Sequence, residues 1–185
     1  MGKQVIHIFG ASGSGTTTLG EKISRELGFF HMDTDDYFWL PTNPKFTTKR
    51  PAAERIARMR QDIANHQKAV ISGSLTDWGD PLIPLFTLAI RIEMDPALRL
   101  ERLLARERQR YGSRIEPGDD MYETNQAFLE WAKGYDTGGP EIRSRVKHDR
   151  WQKLLTCPVL LLDGGASVEQ NFEKVQRFLK KECMP

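Results

Sequence analysis

The sequence predicts an α/β fold in which a parallel sheet of five strands is covered by helices. Three observations carry that expectation. Short apolar runs recur at Val5–Phe9, Phe29–Met32, Ala69–Ile71, Leu88–Ile92 and Val159–Leu162; such continuous runs suit strands buried on both faces. Between them lie segments with apolar residues at helical spacing. Glycine, proline and aspartate mark the joints, as at Asp95-Pro96 and Asp163-Gly164-Gly165. At 185 residues the chain is expected to form one domain, 1–185.

The first run leads into Gly10-Ala11-Ser12-Gly13-Ser14-Gly15-Thr16-Thr17-Thr18, and Leu19, Ile23 and Leu27 then open a helix that Gly28 closes. Strand, glycine loop and helix are the context of a phosphate-binding P-loop, and the spacing G-x-x-x-x-G is intact. Glycines let successive N–H groups converge on an anion, and the helix adds its dipole. Gly10, Ser12, Gly13, Ser14, Gly15, Thr16, Thr17 and Thr18 are therefore the expected phosphate cradle. Thr17 occupies the Mg²⁺-binding position. Thr16 stands where a lysine is expected, so the point charge on the β- and γ-phosphates is missing.

The second run delivers Asp33-Thr34-Asp35-Asp36 to the edge of the sheet where ligands of such folds bind. Read as an extended segment, it puts Asp33 and Asp35 on one side. One carboxylate would take a proton from a hydroxyl, and the other would hold Mg²⁺ or its waters. Leu40 to Lys45 is a proline-punctuated loop. Pro51 opens a helix with Ile56, Met59 and Ile63 on its buried face, and Lys49 and Arg50 at its start call for a nearby anion. The third run ends at Gly73, where a ligand could approach the backbone.

Asp77 to Pro81 forms a turn before the fourth run. Asp95 caps the next helix and Pro96 begins it. Leu100, Leu103 and Leu104 are its expected apolar face. Beside them run Arg99, Arg102, Arg106 and Arg110; Arg106 has no acid at i±3 or i±4, so an anionic ligand would neutralise the stripe. Turn formers bracket Met121, Asn125, Phe128 and Ala132, which reads as a mobile lid with its own helix over about 111–142. Arg143, Arg145, Lys147 and His148 follow, with His148 read as a surface or capping residue. The last helix is capped by Ser167 and carries Val168, Phe172, Val175 and Leu179.

A net charge of +2 gives no general attraction to nucleic acid or to an acidic membrane. No apolar stretch approaches the ~20 residues of a membrane span, and no signal segment is read at the start. Cys157 and Cys183 lack metal-ligand spacing and read as reduced thiols of a cytoplasmic protein.

This order of motifs resembles the small P-loop kinases: adenylate kinase, shikimate kinase, gluconate kinase and the small nucleoside kinases. The resemblance implies a three-layer α/β/α P-loop NTPase fold with a helical lid, ATP and Mg²⁺ as cofactors, and a small-molecule phosphate acceptor as partner, in a monomer or homodimer. Met32-Asp33-Thr34-Asp35 is similar to the D-x-D of shikimate kinase, and Asp35-Asp36-Tyr37-Phe38 to the acidic segment of nucleoside kinases. It implies Asp33, Asp35, Arg106 and Arg110 as catalytic. It implies Thr17 and Asp33 at the metal, Arg102 and Asp163 at the nucleotide, and Asp36, Arg50, Gly73 and Arg143 at the acceptor. The departure at Thr16 leaves three readings: an arginine such as Arg106, Arg110 or Arg143 supplies the charge, the enzyme is slow, or the chain binds nucleotide without transferring phosphate. A nucleotide-responsive binding protein is the rival function; a nucleic-acid-acting ATPase is the third.

Overall fold

The computed structural model describes residues 2–43 and 45–182; Pro44 and Cys183 lie outside the described residues. Five strands form one parallel sheet: β1 (Gln4–Gly10), β2 (Phe30–Asp33), β3 (Lys68–Ser72), β4 (Leu88–Glu93) and β5 (Val159–Asp163), in the order β2-β3-β1-β4-β5. Among the described residues seven α-helices surround it: α1 (Thr16–Leu27), α2 (Thr34–Phe38), α3 (Ala52–Asn65), α4 (Pro96–Tyr111), α5 (Tyr122–Lys133), α6 (Arg145–Gln152) and α7 (Val168–Glu182).

The alternation of β1 builds the layers. Val5 and Phe9 face one side and pack with Met59 and Ile63 of α3, Phe86 and Trp151. Ile6 and Ile8 face the other and pack with Leu19 and Ile23 of α1 and Phe172 and Val175 of α7. The expected three-layer α/β/α arrangement and all-parallel sheet are therefore present. Register brings the strand ends level: Ile8 pairs with Ser72, and Ser72 with Asp33. The glycine loop after β1 and the acids after β2 thus share one edge, with β3 between them.

Segment 111–142 packs on α4, where Leu103 meets Leu129 and Ala132 of α5. The buried face of α4 differs from the expected one: it is Arg99, Leu103 and Glu107, at i, i+4 and i+8, while Leu104 is exposed. The apolar count along the helix favoured leucines, but ion pairing decides which stripe turns inward.

His148 corrects another expectation. It is fully buried, with Nε2 bonded to Ser74 Oγ at 3.1 Å and Nδ1 to the Tyr135 hydroxyl at 2.8 Å. His7 is likewise buried on β1, stacked near Phe9 and Phe86 and bonded to the Gly73 carbonyl. Desolvation pushes His148 down to about 3, helped by Arg143 and Arg91, and His7 down to about 4. Both rings are neutral in the folded chain and gain a proton on unfolding below their ordinary value of 6.5. Stability from this pair is therefore intact above that value and is lost as pH falls from about 6.5 towards 4. The melting temperature should drop over that interval, and the slope should flatten in His148→Gln; an unchanged slope would exclude this residue as the source.

Candidate phosphate-transfer site

The loop between β1 and α1 has the geometry of an anion cradle. Gly13 and Gly15 adopt φ of 87° and 96°, which side chains rarely tolerate. A Cβ on Gly10 would lie 2.5 Å from the Ile92 carbonyl oxygen, so the loop is packed directly on β4. The N-terminus of α1 has no side-chain cap and no acidic residue in its first turn. The buried Ser14 hydroxyl has no hydrogen-bond partner. Free helix N–H groups and an orphaned hydroxyl fit a phosphate, so the loop and Thr17 would hold the nucleotide phosphates and Mg²⁺. Thr16 supplies no charge.

Asp33 connects this loop to the acidic segment. Its Oδ2 accepts from Thr17 Oγ1 at 3.0 Å and its Oδ1 accepts from the Asp35 backbone N–H at 3.0 Å. The segment is not extended: Asp33 is the N-cap of α2, and the cap turns the chain into a helix at once. Asp35 remains at the site. Asp35 is solvent-exposed, yet crowding by the neighbouring elements and next the Asp33 charge push its carboxyl above the ordinary range, while Arg143, a hydrogen bond from the Trp39 side chain and Arg106 oppose this. Asp36 lines a separate hollow of about 560 Å³ with His31, Arg58 and Asp62 instead of joining Asp35.

Several expected binding residues have structural duties. Arg50 is buried: it donates to the Tyr37 and Trp39 carbonyls and pairs with Glu54 at 2.7 Å. The anion that its position at the start of α3 called for is therefore Glu54. The Thr34 side chain packs where a Cβ on Gly73 would lie. Glu107 pairs with Arg106 at 2.9 Å and with Arg110 at 3.8 Å, so the arginine stripe does have a helix neighbour. That partner sits at i+1 of Arg106, a spacing that helix surface rules pass over. Asp163 accepts from the Gly165 N–H and closes its own turn. Even so, Arg102 donates to the Gly164 carbonyl at 2.8 Å, and a Cβ on Gly164 would lie 3.0 Å from the Ser14 carbonyl oxygen. The turn thus borders the loop. Thr18 faces solvent.

Other residues emerge only in three dimensions. Arg99, 1% exposed, donates to the Ser12 carbonyl and pairs with Asp136 at 2.7 Å, and Asp136 also pairs with Arg145 at 3.1 Å. This carboxylate ties α4, the end of the lid segment and α6 together. Arg143 donates to the Gly10 carbonyl at 3.4 Å. Arg55 lies flat on Phe38, 3.8 Å from the ring centre, with Trp78 5.5 Å away. Its place on the stripe of Met59 and Ile63 was the available signal. A groove of about 660 Å³ lined by Ile56, Trp78 and Pro81 includes none of the loop residues, so chemistry rather than volume locates the site. Among the described residues no helix is long and apolar enough to cross a membrane.

Replacing Asp136 leaves the Arg99 charge buried and unpaired. Asp136→Ala should cost about 3 kcal/mol of stability in urea unfolding. A loss below about 1 kcal/mol would mean that solvent reaches Arg99 once its partner is gone.

Comparison with known proteins agrees with this geometry. A family model described as an AAA domain matches residues 6–126. The uncharacterized protein YqaC of Bacillus subtilis (strain 168) is 43% identical over 177 residues, 96% of this chain and 98% of that protein. Among solved structures, shikimate kinase from Bacteroides thetaiotaomicron aligns over 96% of this chain and 98% of its own, with a TM-score of 0.56 at 17% identity. Shikimate kinase from Acinetobacter baumannii, in complex with shikimate, covers 99% and 96% with a TM-score of 0.56 at 12% identity. A sugar kinase from Janibacter sp. HTCC2649 covers 96% and 95% with a TM-score of 0.52 at 15% identity. The fold is that of the P-loop small-molecule kinases, and the chain belongs to the AAA domain family that the matched model describes.

Proposed function

We propose that this protein transfers the γ-phosphoryl group of ATP to a hydroxyl of a small molecule. The observation that carries the reading is the Thr17–Asp33–Asp35 connection, which sets an acid of raised carboxyl range beside the phosphate loop. Bound ATP·Mg²⁺ supplies the phosphoryl group. Backbone N–H groups of Gly10–Thr17 would cradle its phosphates, and Thr17, bonded to Asp33, would hold the metal. Asp35 orients the acceptor hydroxyl and takes its proton as the acceptor oxygen bonds to phosphorus and the bond to the departing ADP oxygen breaks. The aromatic rings of Trp39 and Trp78 gathered around Phe38, at the end of the acid-bearing helix, support a nucleoside-like or sugar-acid-like acceptor, since aromatic faces suit a ring. The lid segment would close over this assembly and exclude water.

Ligand binding is the first test. ATP at about 100 times its Kd stabilises a protein by roughly 2.7 kcal/mol, a melting shift of several degrees at this size. That shift should appear with ATP and Mg²⁺; its absence would remove the kinase reading. An acceptor screen follows. A Mg²⁺-dependent shift without transfer to any acceptor would favour a nucleotide-responsive binding protein, which the missing lysine at Thr16 also supports.

Asp35→Asn should lower kcat by about 100-fold or more, the usual worth of a positioned base, with ATP affinity within a few-fold of the parent. Equal loss of both would assign Asp35 to nucleotide binding instead. Because Asp35 must be ionised to accept the proton, kcat/KM should fall on the acid side with a midpoint above the ordinary carboxylate value. A midpoint at or below that value would point to a different base.

A further inference from the structure

A P-loop without its lysine still has to meet the charge on the β- and γ-phosphates. Four arginines lie near enough to consider, and the structure separates them. Arg106 and Arg110 are drawn onto Glu107 and lie over the rings of Phe128 and Phe46. Arg99 touches the loop at the Ser12 carbonyl, but its charge is matched by Asp136 and its side chain is sealed from solvent.

Arg143 differs in having no acid partner. Its Nη2 donates to the carbonyl of Gly10, the first residue of the loop. No carboxylate lies at ion-pair distance from it among the described residues, although Asp35 and Asp33 both sense its charge. Its Nε is buried and has no hydrogen-bond partner. A guanidinium held beside a phosphate loop, with a donor unused and no acid paired to it, is arranged for an anion that arrives from outside. The residue is also firmly placed. Ser144, the next residue, caps α6 by accepting from the Lys147 N–H at 3.1 Å and donates to the Gly139 carbonyl at 2.7 Å. Arg145 is anchored on Asp136, and the Trp131 ring lies 5.6 Å from the Arg143 guanidinium.

We propose that Arg143 stands in for the absent P-loop lysine, carrying from the far end of the chain the cation that position 16 lacks. The inference rests on the nucleotide-binding part of the proposed function. The substitute changes how the loop works. A lysine at the head of α1 would be present whether or not the lid segment is ordered. Arg143 follows directly on segment 111–142, so the cation reaches the phosphates only when that segment is seated. Its planar fork addresses two phosphate oxygens at once, where an ammonium acts as a point charge.

The test is a charge-relocation cycle read by calorimetric titration with ATP·Mg²⁺ and with AMP. Four proteins are compared: the parent, Arg143→Ala, Thr16→Lys, and the two changes combined. Arg143→Ala should weaken ATP binding by about 30-fold or more, as expected for loss of a partially buried charged contact, and AMP binding by less than threefold. Adding Thr16→Lys should return ATP affinity to within about threefold of the parent, and Arg143→Lys, which keeps the charge but loses the fork, should fall between Arg143→Ala and the parent. Melting temperatures report whether each variant is folded. ATP binding unchanged in Arg143→Ala would overturn the proposal and leave Arg143 as a brace between lid and loop. A folded double variant that is not rescued would overturn it too, because the loss would then come from lid geometry. A parent that binds no ATP would remove the proposed function itself, and this inference with it.

Discussion

Each oxygen of the Asp33 carboxylate holds a different part of the site. One accepts from the Thr17 hydroxyl at the head of α1, and the other from the Asp35 N–H at the head of α2. The phosphate loop and the acid-bearing helix leave different strands, with β3 between those strands, so the sheet alone fixes only their general neighbourhood. The shared carboxylate fixes their spacing and orientation. It also places a negative charge beside Asp35, which is part of why that carboxyl titrates above its ordinary range. Positioning and acid–base character thus come from the same group.

The arginines follow a similar economy of placement. Arg50 and Arg99 are buried with a carboxylate each, Glu54 and Asp136. Both brace the molecule: one ties α2 to α3, the other ties α4 to the segment that ends in Arg143. Buried charges left unpaired are costly, so an arginine without an acid, as Arg143 is, stands apart from its neighbours. The charge missing at Thr16 and the unpaired charge at Arg143 both belong to the surroundings of one loop, which Arg143 touches at the Gly10 carbonyl.

The sheet, the loop and the helix caps were legible in the sequence because each rests on local rules. A strand needs a short apolar run, a P-loop needs its glycines, and Asp95 beside Pro96 marks a helix start; all three appear where expected. What could not be read depends on partners distant in the chain. Asp33 to Asp36 look alike in sequence, and only the capping bond decides that Asp33 turns back, Asp35 stays at the loop and Asp36 leaves it. Arg50 carries the same charge whether it meets a substrate or Glu54. His148 sits among basic residues in sequence but beside Ser74 and Tyr135 in space. Polar residues on buried stripes, such as Arg55 and Arg99, are invisible to a pattern that counts only apolar positions.

The strand order has a consequence for how the chain is made. β1 pairs with β3 and β4, and not with β2, the strand that follows it in sequence. Its residues leave the ribosome before those of the other strands, yet their first sheet partner, Lys68–Ser72, follows only after dozens of residues. At synthesis rates of roughly 5–20 residues per second, β1 waits several seconds without a neighbour. During that time an apolar strand and a glycine-rich loop are exposed together, and non-local pairing of this kind is slow to form. The segment that defines the site is synthesised before the other strands, and its geometry is completed only when residues far downstream, Arg143 and the Gly164 turn, come to rest against it.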